Sequence, residues 1–416
     1  MTATAVILAG GKGTRAADPS RPKLAQTIGG RSLMEWHINV LSTSEITDVI
    51  VVAGHLGEEV QTLCDSVSHP SLKITVIHEA EQNGTVAALC LAAEHTESDE
   101  FLVILGDILM SFPVDAFLAR WRQSGANAGV AVHPSTHPED SDAAFPAHDG
   151  TVKVVPKSQP RSGIPNMSSA GLFAITRACL QIYCDGRDLG SHVLPLAAAR
   201  NDLYTDVNSH YFKDTGTPGR LEAAVRDFAS GAFARRGSTS PRRAIFLDRD
   251  GVVNPALPEV YKPEDFTLNP GVALAIREAN LKGIPVFVAT NQPGIAKGFM
   301  AFDTHEAIRA EMDRLLAADG AFVDDYAYCP HHPEAGFEGE VPELKVECTC
   351  RKPEPGLLRA LAMIHDIDLS ASVFVGDTAR DAGAAVAAGA AFIDVSDEAA
   401  LAPADGIRRA IEVVTC

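Results

Sequence analysis

What this chain lacks narrows its function first. It has no excess of positive charge: 35 Lys and Arg stand against 54 Asp and Glu, a formal net charge of −19. A nucleic-acid partner needs a basic face that displaces counterions, so nucleic acid is excluded. Small phosphorylated substrates are not excluded, because local Arg, Lys, amide N–H groups and Mg²⁺ can bind them against an unfavourable global field. No apolar run reaches the roughly 20 residues that span a bilayer. The first one, residues 3–9, is too short for a signal peptide and has no basic segment before it. We therefore expect no membrane partner and a cytoplasmic location. A disulfide framework is missing as well. Of eight cysteines, Cys64, Cys90, Cys179, Cys184 and Cys416 are scattered, and only Cys329, Cys348 and Cys350 cluster. That is the usage of a reducing compartment. Disorder is disfavoured too, at 46% hydrophobic and 21% charged residues.

What is present is enough for two domains, since 416 residues exceed one ordinary core. Short apolar runs at residues 4–9, 49–53, 74–77 and 101–105 alternate with helix-like stretches at 32–41, 58–67 and 85–94. That rhythm predicts a doubly wound α/β sheet. Residues 127–176 read as strand-like pieces (128–133, 152–155, 170–175) around a polar, Pro-rich loop. We expect a β-rich insertion covering a site there. Residues 235–242, small, polar and breaker-rich, are the best linker. They separate an expected domain at 1–234 from one at 243–416. Alternation resumes in the second with strands at 244–247, 285–289 and 373–375 and helices at 272–281, 304–318 and 379–388. No internal repeat appears. Both domains are expected to be Rossmann-like.

The second domain carries the clearer chemistry. Asp248 follows an apolar strand and Asp250 lies two residues on, so both carboxylates point the same way at a strand end, where α/β sheets gather ligands. One can attack phosphorus while the other protonates the leaving oxygen. Gly251 lets the chain turn sharply away. Thr290 supplies a hydroxyl, Lys352 a cation and Asp377 a third carboxylate, each at or near a strand end or a turn. Mg²⁺ would bridge Asp248, the backbone of Asp250 and Asp377. A lone Asp-x-Asp is usually a solvated turn, but several motifs in order leave little room for that. Cys329-x-His331 and Cys348-x-Cys350 together offer four ligands for a closed structural Zn²⁺ site. His332 competes with His331, and a buried cysteine cluster beside a surface histidine is the plain alternative. The metal would tie residues 329–350 so that Arg351 and Lys352 face the site.

These residues resemble the haloacid dehalogenase phosphatase superfamily, and within it the histidinol-phosphatase/heptose-bisphosphate phosphatase group. The matching motifs are Asp248-x-Asp250-Gly251-x-x-Asn254, Thr290-Asn291-Gln292-x-Gly294, Cys329-x-His331, Cys348-x-Cys350-Arg351-Lys352-Pro353 and Gly376-Asp377-x-x-x-Asp381. The resemblance implies Asp248 as nucleophile, Asp250 as acid/base and Asp377 as Mg²⁺ ligand. It implies Arg351 and Lys352 as phosphate holders, with Asn291 at the substrate. Thr378 stands where such phosphatases often carry Lys.

The first domain opens on Gly10-Gly11-Lys12-Gly13-Thr14-Arg15 after a strand. Glycines bring backbone N–H groups close to phosphates and Arg15 adds charge. No Gly-Lys-Ser/Thr closes a P-loop, and a purely structural turn is a fair alternative. With Lys23, Gly84-Thr85, Gly106-Asp107 and Asp214-Thr215-Gly216-Thr217-Pro218, the chain resembles the sugar-1-phosphate nucleotidyltransferase family, of GT-A-like fold, over residues 3–228. The resemblance implies Mg²⁺ on Asp107 and Asp214, phosphates on Arg15 and Lys23, the nucleoside by Gly84 and the sugar phosphate by Lys157. Catalysis would be in-line attack by positioning and charge neutralisation.

The two resemblances together imply an enzyme that dephosphorylates a heptose 1,7-bisphosphate and activates the heptose 1-phosphate with an NTP, GTP favoured and ATP allowed. Its partners would be heptose phosphates and NTP, with a homo-oligomer left open. The alternatives are a phosphatase of histidinol phosphate or another sugar phosphate, and an N-terminal nucleotide-binding module that only regulates it.

Overall fold

The computed structural model describes residues 2–11, 18, 20–161, 163–184, 187–239 and 242–415. The chain forms two compact units. The first holds residues 1–133, 139–160 and 167–233; the second holds 134–138, 161–166 and 234–416.

In the first unit, Thr4–Ala9 lies between Asp48–Ala53 and Glu100–Leu105, parallel to both, and Lys73–His78 continues the sheet beyond Asp48–Ala53. Strand alternation decides which core each residue joins. Ala5, Ile7, Val49, Val51, Leu102 and Ile104 enter one core, which helix Leu33–Leu41 covers with Leu33, Met34, Ile38 and Leu41. Val6, Ile50, Val52, Phe101 and Val103 enter the other, under Val86, Leu89 and Ala92 of helix Thr85–Ala93. Each such Val, Leu or Ile contributes roughly 1.5–3 kcal/mol by leaving water. Helix Leu33–Leu41 starts on a capping box in which Ser32 and Glu35 satisfy each other's backbone N–H.

Residues 127–176 supply four strands that extend this same sheet. Ser168–Thr176 pairs antiparallel with Glu100–Leu105 and with Ala128–His133, and Ala143–Pro146 and Val152–Val155 add the far edge. A register shift between Ser169 and Phe173 bends the strand. Leu203–Val207 runs parallel to Ala128–His133. A separate pair, Ile108–Ser111 with Tyr211–Asp214, brings Asp214 opposite Ile108.

The second unit is built on five parallel strands in the order Asp325–Cys329, Val286–Asn291, Ile245–Leu247, Val373–Gly376, Ala391–Asp394. Ile245, Leu247, Val286, Val288, Val373 and Val375 face helices Val272–Leu281, Phe302–Ala318 and Pro403–Thr415. Phe246, Phe287 and Phe374 face helices Gly356–His365 and Ala379–Ala388. Both faces are covered, so the strands read as unbroken apolar runs. The stretch expected as a linker is partly packed. Arg235 ends the short helix Ala232–Arg235, and Arg236 is buried with its guanidinium on Asp324. Long arginine stems bury readily when a carboxylate meets the head. Among the described residues no helix is long and apolar enough to cross a membrane.

Candidate active sites

The central strand Ile245–Leu247 delivers Asp248 to its carboxyl end, between the ends of Val286–Asn291 and Val373–Gly376. Thr290 lies at the first of these ends and Asp377 directly follows the second. A cleft of about 300 Å³ opens there. Asp248, Asp250, Thr290, Asn291, Arg351, Lys352 and Asp377 all line it, so the structure brings together every phosphatase residue read from the sequence.

Lys352 is buried, with its Nζ 2.8 Å from Asp248 Oδ1 and 2.6 Å from Asp381 Oδ1. Its backbone is clamped by Asn291, whose Oδ1 accepts from Lys352 N (3.0 Å) and whose Nδ2 donates to Lys352 O (3.1 Å). Asn291, expected at the substrate, thus holds the lysine in place. Asp381 acts twice. It is the N3 residue of the capping box that starts helix Ala379–Ala388, accepting from Thr378 N (3.0 Å) and Oγ1 (2.6 Å), and its other oxygen meets Lys352. Thr378 is the cap itself.

Burial lifts the Asp248 carboxyl to about 7, with Lys352 pulling it back and Asp381 and Asp250 pushing it up further. Burial also raises Asp377, with Asp381 beside it. Asp250 goes the other way. Burial would raise it, but the Arg249 guanidinium and hydrogen bonds from Arg249, Asn254 and Gln292 outweigh that and hold it below the usual carboxylate range. Lys352 is raised because Asp248 and Asp381 overcome the cost of its burial.

Carboxylate oxygens of Asp248, Asp377 and Asp381 lie within 4.8 Å of one another. Asp377 Oδ1 is buried with no hydrogen-bond partner. Hard oxygen donors crowded together, one of them orphaned, fit a divalent cation of the Mg²⁺ type. The Asp250 carboxylate is not in this group, so its expected share in metal binding falls to its backbone.

Cys329, His331, Cys348 and Cys350 also converge. Cys329 Sγ is 3.5 Å from His331 Nδ1 and 3.6 Å from Cys348 Sγ. Cys350 Sγ is 3.4 Å from His331 Nδ1 and 3.3 Å from Cys348 Sγ. Zinc bonds of about 2.0–2.3 Å in a tetrahedron give ligand separations of about 3.6–3.8 Å; the observed 3.3–3.6 Å are slightly shorter, so the set fits that ion with a small outward adjustment. His332 instead lines the cleft and contacts Glu334 O. Arg351 Nη1 donates to His331 O at 3.0 Å, which couples the clip to the cleft.

In the first unit the antiparallel pair Ile108–Ser111/Tyr211–Asp214 places Asp107 and Asp214 side by side. Thr215 N and Oγ1 both donate to Asp107 O, at 2.8 and 2.9 Å. Lys23 Nζ is 2.7 Å from Asp107 Oδ2. A Cβ on Gly216 would stand 2.9 Å from Asp214 Oδ1, 3.1 Å from Asp107 Oδ2 and 3.5 Å from Lys23 Nζ. These three expected residues therefore meet around one backbone position. Gly10 closes the first strand next to Gly54, with Gln82 Nε2 donating to its carbonyl. Gly11 is exposed beside it. Gly84 caps helix Thr85–Ala93 at φ +100, where a Cβ would fall 1.9 Å from Arg187 O. Lys157 lies exposed in the turn after Val152–Val155, its N–H on Asp142 Oδ1 at 2.9 Å. Gly13, Thr14 and Arg15 lie outside the described residues.

The sequence reading gave no role to Arg220, Gln292 or Asp381. Arg220 pairs with both Asp214 and Asp140. Its place just after Gly-Thr-Pro, in the first turn of helix Pro218–Ala229, was the available signal.

Known proteins fall on the same division. Residues 5–194 match the family model of the MobA-like NTP transferase domain, and residues 349–405 that of the HAD-hydrolase-like domain. The D-glycero-beta-D-manno-heptose-1,7-bisphosphate 7-phosphatase of Rhodopseudomonas palustris is 42% identical over 153 residues, 36% of this chain and 83% of that protein. Its counterpart in Escherichia coli K12 is 42% identical over 145 residues, 35% of this chain and 74% of that protein. The crystal structure of the B. bronchiseptica D,D-heptose 1,7-bisphosphate phosphatase, complexed with magnesium and phosphate, is 40% identical. It covers 36% of this chain and 78% of that one, with a TM-score of 0.32.

Fold, site and matches define an enzyme that joins a HAD-type phosphatase to a nucleotidyltransferase domain. Through its phosphatase part the chain belongs to the D-glycero-D-manno-heptose-1,7-bisphosphate 7-phosphatase family.

Proposed function

We propose that this protein carries out two consecutive steps of heptose activation. The phosphatase unit hydrolyses the 7-phosphate of D-glycero-D-manno-heptose 1,7-bisphosphate. The N-terminal unit then transfers a nucleotidyl group from an NTP, GTP favoured, to the heptose 1-phosphate and releases pyrophosphate. The observation that carries this reading is one chain uniting the phosphatase's strand-end constellation, 42% identical to heptose-bisphosphate phosphatases, with an NTP-transferase-type domain.

In the phosphatase, Asp248 is the nucleophile and Lys352 neutralises charge on the phosphoryl oxygens, with Thr290 as hydroxyl donor and Arg351 at the substrate. Asp250, ionised in the free site, takes up a proton when the phosphate dianion enters beside it, gives that proton to the leaving oxygen and later takes one from water. Asp248, Asp377 and the backbone of Asp250 would hold Mg²⁺, which supplies relief of carboxylate–phosphate repulsion. Zn²⁺ on Cys329, His331, Cys348 and Cys350 is structural. In the transferase, Asp107 and Asp214 would hold Mg²⁺. Lys23, Arg15 and the Gly10-Gly11-Lys12-Gly13-Thr14 segment bind triphosphate, Gly84 faces the nucleoside and Lys157 the sugar phosphate.

The test is a one-pot mass-spectrometric assay with heptose 1,7-bisphosphate, Mg²⁺ and each of ATP, GTP, CTP and UTP. The expected result is one NDP-heptose, lost in Asp248→Asn and regained when heptose 1-phosphate is supplied. Phosphate release with no nucleotide sugar would reject the transferase step for this sugar. No phosphate release would reject the sugar itself.

A further inference from the structure

Asp250 is gripped on both oxygens by side chains that the reaction above does not use. Oδ1 accepts from Arg249 Nε (3.2 Å), Arg249 Nη2 (2.8 Å) and Asn254 Nδ2 (3.0 Å). Oδ2 accepts from Arg249 Nη2 (2.9 Å) and Gln292 Nε2 (2.7 Å). Arg249 directly precedes Asp250, yet its side chain turns inward and is only 2% exposed. Tyr326 is an electrostatic neighbour of its guanidinium, and the Tyr326 hydroxyl lies 3.1 Å from His305 Nε2. Both supports are buried, Tyr326 on strand Asp325–Cys329 and His305 on helix Phe302–Ala318. A guanidinium is costly to bury, and filling this space alone would need only an apolar side chain.

We infer that Arg249, backed by Tyr326 and His305, is a positioning residue that aims the Asp250 carboxyl at the leaving oxygen. The inference rests on the phosphatase reading above. In the first half-reaction an Asp248 oxygen bonds to phosphorus as the ester P–O bond breaks. That bond's electron pair goes to the leaving oxygen, which takes the Asp250 proton. In the second half-reaction water bonds to phosphorus, the bond to Asp248 breaks and the water's proton returns to Asp250. Such transfer depends on geometry before acidity. A planar fork on a carboxylate fixes the plane of that group in a way a point charge does not. Because Nη2 reaches both oxygens, a proton on one leaves the other held. Gln292 also donates to Thr290 Oγ1 at 2.9 Å, so the same carboxyl is registered against the hydroxyl that meets the phosphoryl group.

Leaving-group dependence separates this role from a structural one. A sugar alcohol is a poor leaving group and needs the proton, whereas p-nitrophenolate leaves as a stabilised anion and does not. The full-length protein with Arg249→Lys, which keeps the charge and loses the fork, is assayed on heptose 1,7-bisphosphate and on p-nitrophenyl phosphate. We expect kcat/KM to fall roughly 100-fold on the sugar phosphate and less than about threefold on the aryl ester. Tyr326→Phe removes one oxygen from an otherwise intact core and should show the same selectivity at roughly fivefold. It carries the test alone if Arg249→Lys does not fold. Equal losses on both substrates, or none on either, overturn the inference. Wild type and Asp248→Asn on the same substrates test the reading beneath. If wild type releases no phosphate from either, or Asp248→Asn keeps full activity, the phosphatase reading fails. If Asp248→Asn is inactive and the selectivity is absent, only the positioning role fails.

Discussion

At Gly251 a Cβ would stand 2.0 Å from Asp377 Oδ2, on a backbone at φ +95. Gly251→Ala therefore strains the turn by about 1–3 kcal/mol and displaces a carboxylate that must sit within a fraction of an ångström of its working place. We expect phosphate release to drop about 100-fold while nucleotidyl transfer from supplied heptose 1-phosphate persists. Steady-state assays of both reactions on the purified variant check this, and equal loss of both would reject it. The turning role of Gly251 was legible from the residue type after two aspartates. The roles of Gln292 and Asp381 were not. Gln292 acts on a carboxylate 42 residues away and Asp381 on the Lys352 ammonium, and no local pattern encodes such pairs. Asn291 was read as a substrate contact because it sits in the right motif, yet both ends of its amide are engaged by the Lys352 backbone.

At the scale of elements, the segment from Cys329 to Cys350 has little regular structure beyond the 3₁₀ turn Pro342–Leu344. The four converging ligands tie its ends, alongside backbone bonds such as Val341 N to Ala296 O and His332 N to Leu344 O; with zinc bound there, metal binding and local folding would be one equilibrium. Removing the metal with a strong chelator is expected to lower the Tm of the phosphatase unit and to abolish phosphate release through loss of Arg351 and Lys352 placement. Elemental analysis should find about one zinc per chain before treatment, and Cys348→Ser should reproduce the apo behaviour. Unchanged activity after complete zinc removal would count against this. The helix Ala379–Ala388 offers a second test. Thr378→Ala removes its capping box, at about 0.5–2 kcal/mol, and loosens Asp381 at Oδ2, the oxygen opposite the one that meets Lys352. A denaturant midpoint lowered with an unchanged m-value, together with reduced phosphate release, is expected. The long apolar strands were readable because each is buried on both faces. The expected cover over residues 127–176 was not separable by pattern, because its strands extend the main sheet and their partners are set by long-range pairing. The pair Ile108–Ser111/Tyr211–Asp214, which brings Asp107 and Asp214 together, spans a hundred residues and leaves no local trace.

For the whole molecule, stability should depend on pH through its buried histidines. Burial, with Arg249 and Arg309 adding to it, depresses His305 to about 3. An unfolded histidine titrates near 6.5. Between those values the unfolded chain binds a proton that the native one does not. The native state is therefore fully favoured above about pH 6.5 and loses stability as pH falls toward 3, by about 1.4 kcal/mol per pH unit from this residue. Chemical denaturation at pH 7 and pH 5 should show His305→Gln losing about 2 kcal/mol less than wild type across that interval. A pH dependence identical in both proteins would remove His305 from the account.

The sequence by itself determined the chemistry carried by each half. The aspartates and the threonine proposed for the phosphatase sit in short motifs at strand ends, and strand ends follow from apolar runs whose burial is dictated by composition. Tertiary structure alone decided how those groups are tuned. Asp248 is pushed up by burial and by Asp381 against the pull of Lys352, while Asp250, two residues on, is held down by Arg249, Asn254 and Gln292 despite its burial. Desolvation and ion pairing depend on which distant side chains share a buried volume, and only the folded chain fixes that.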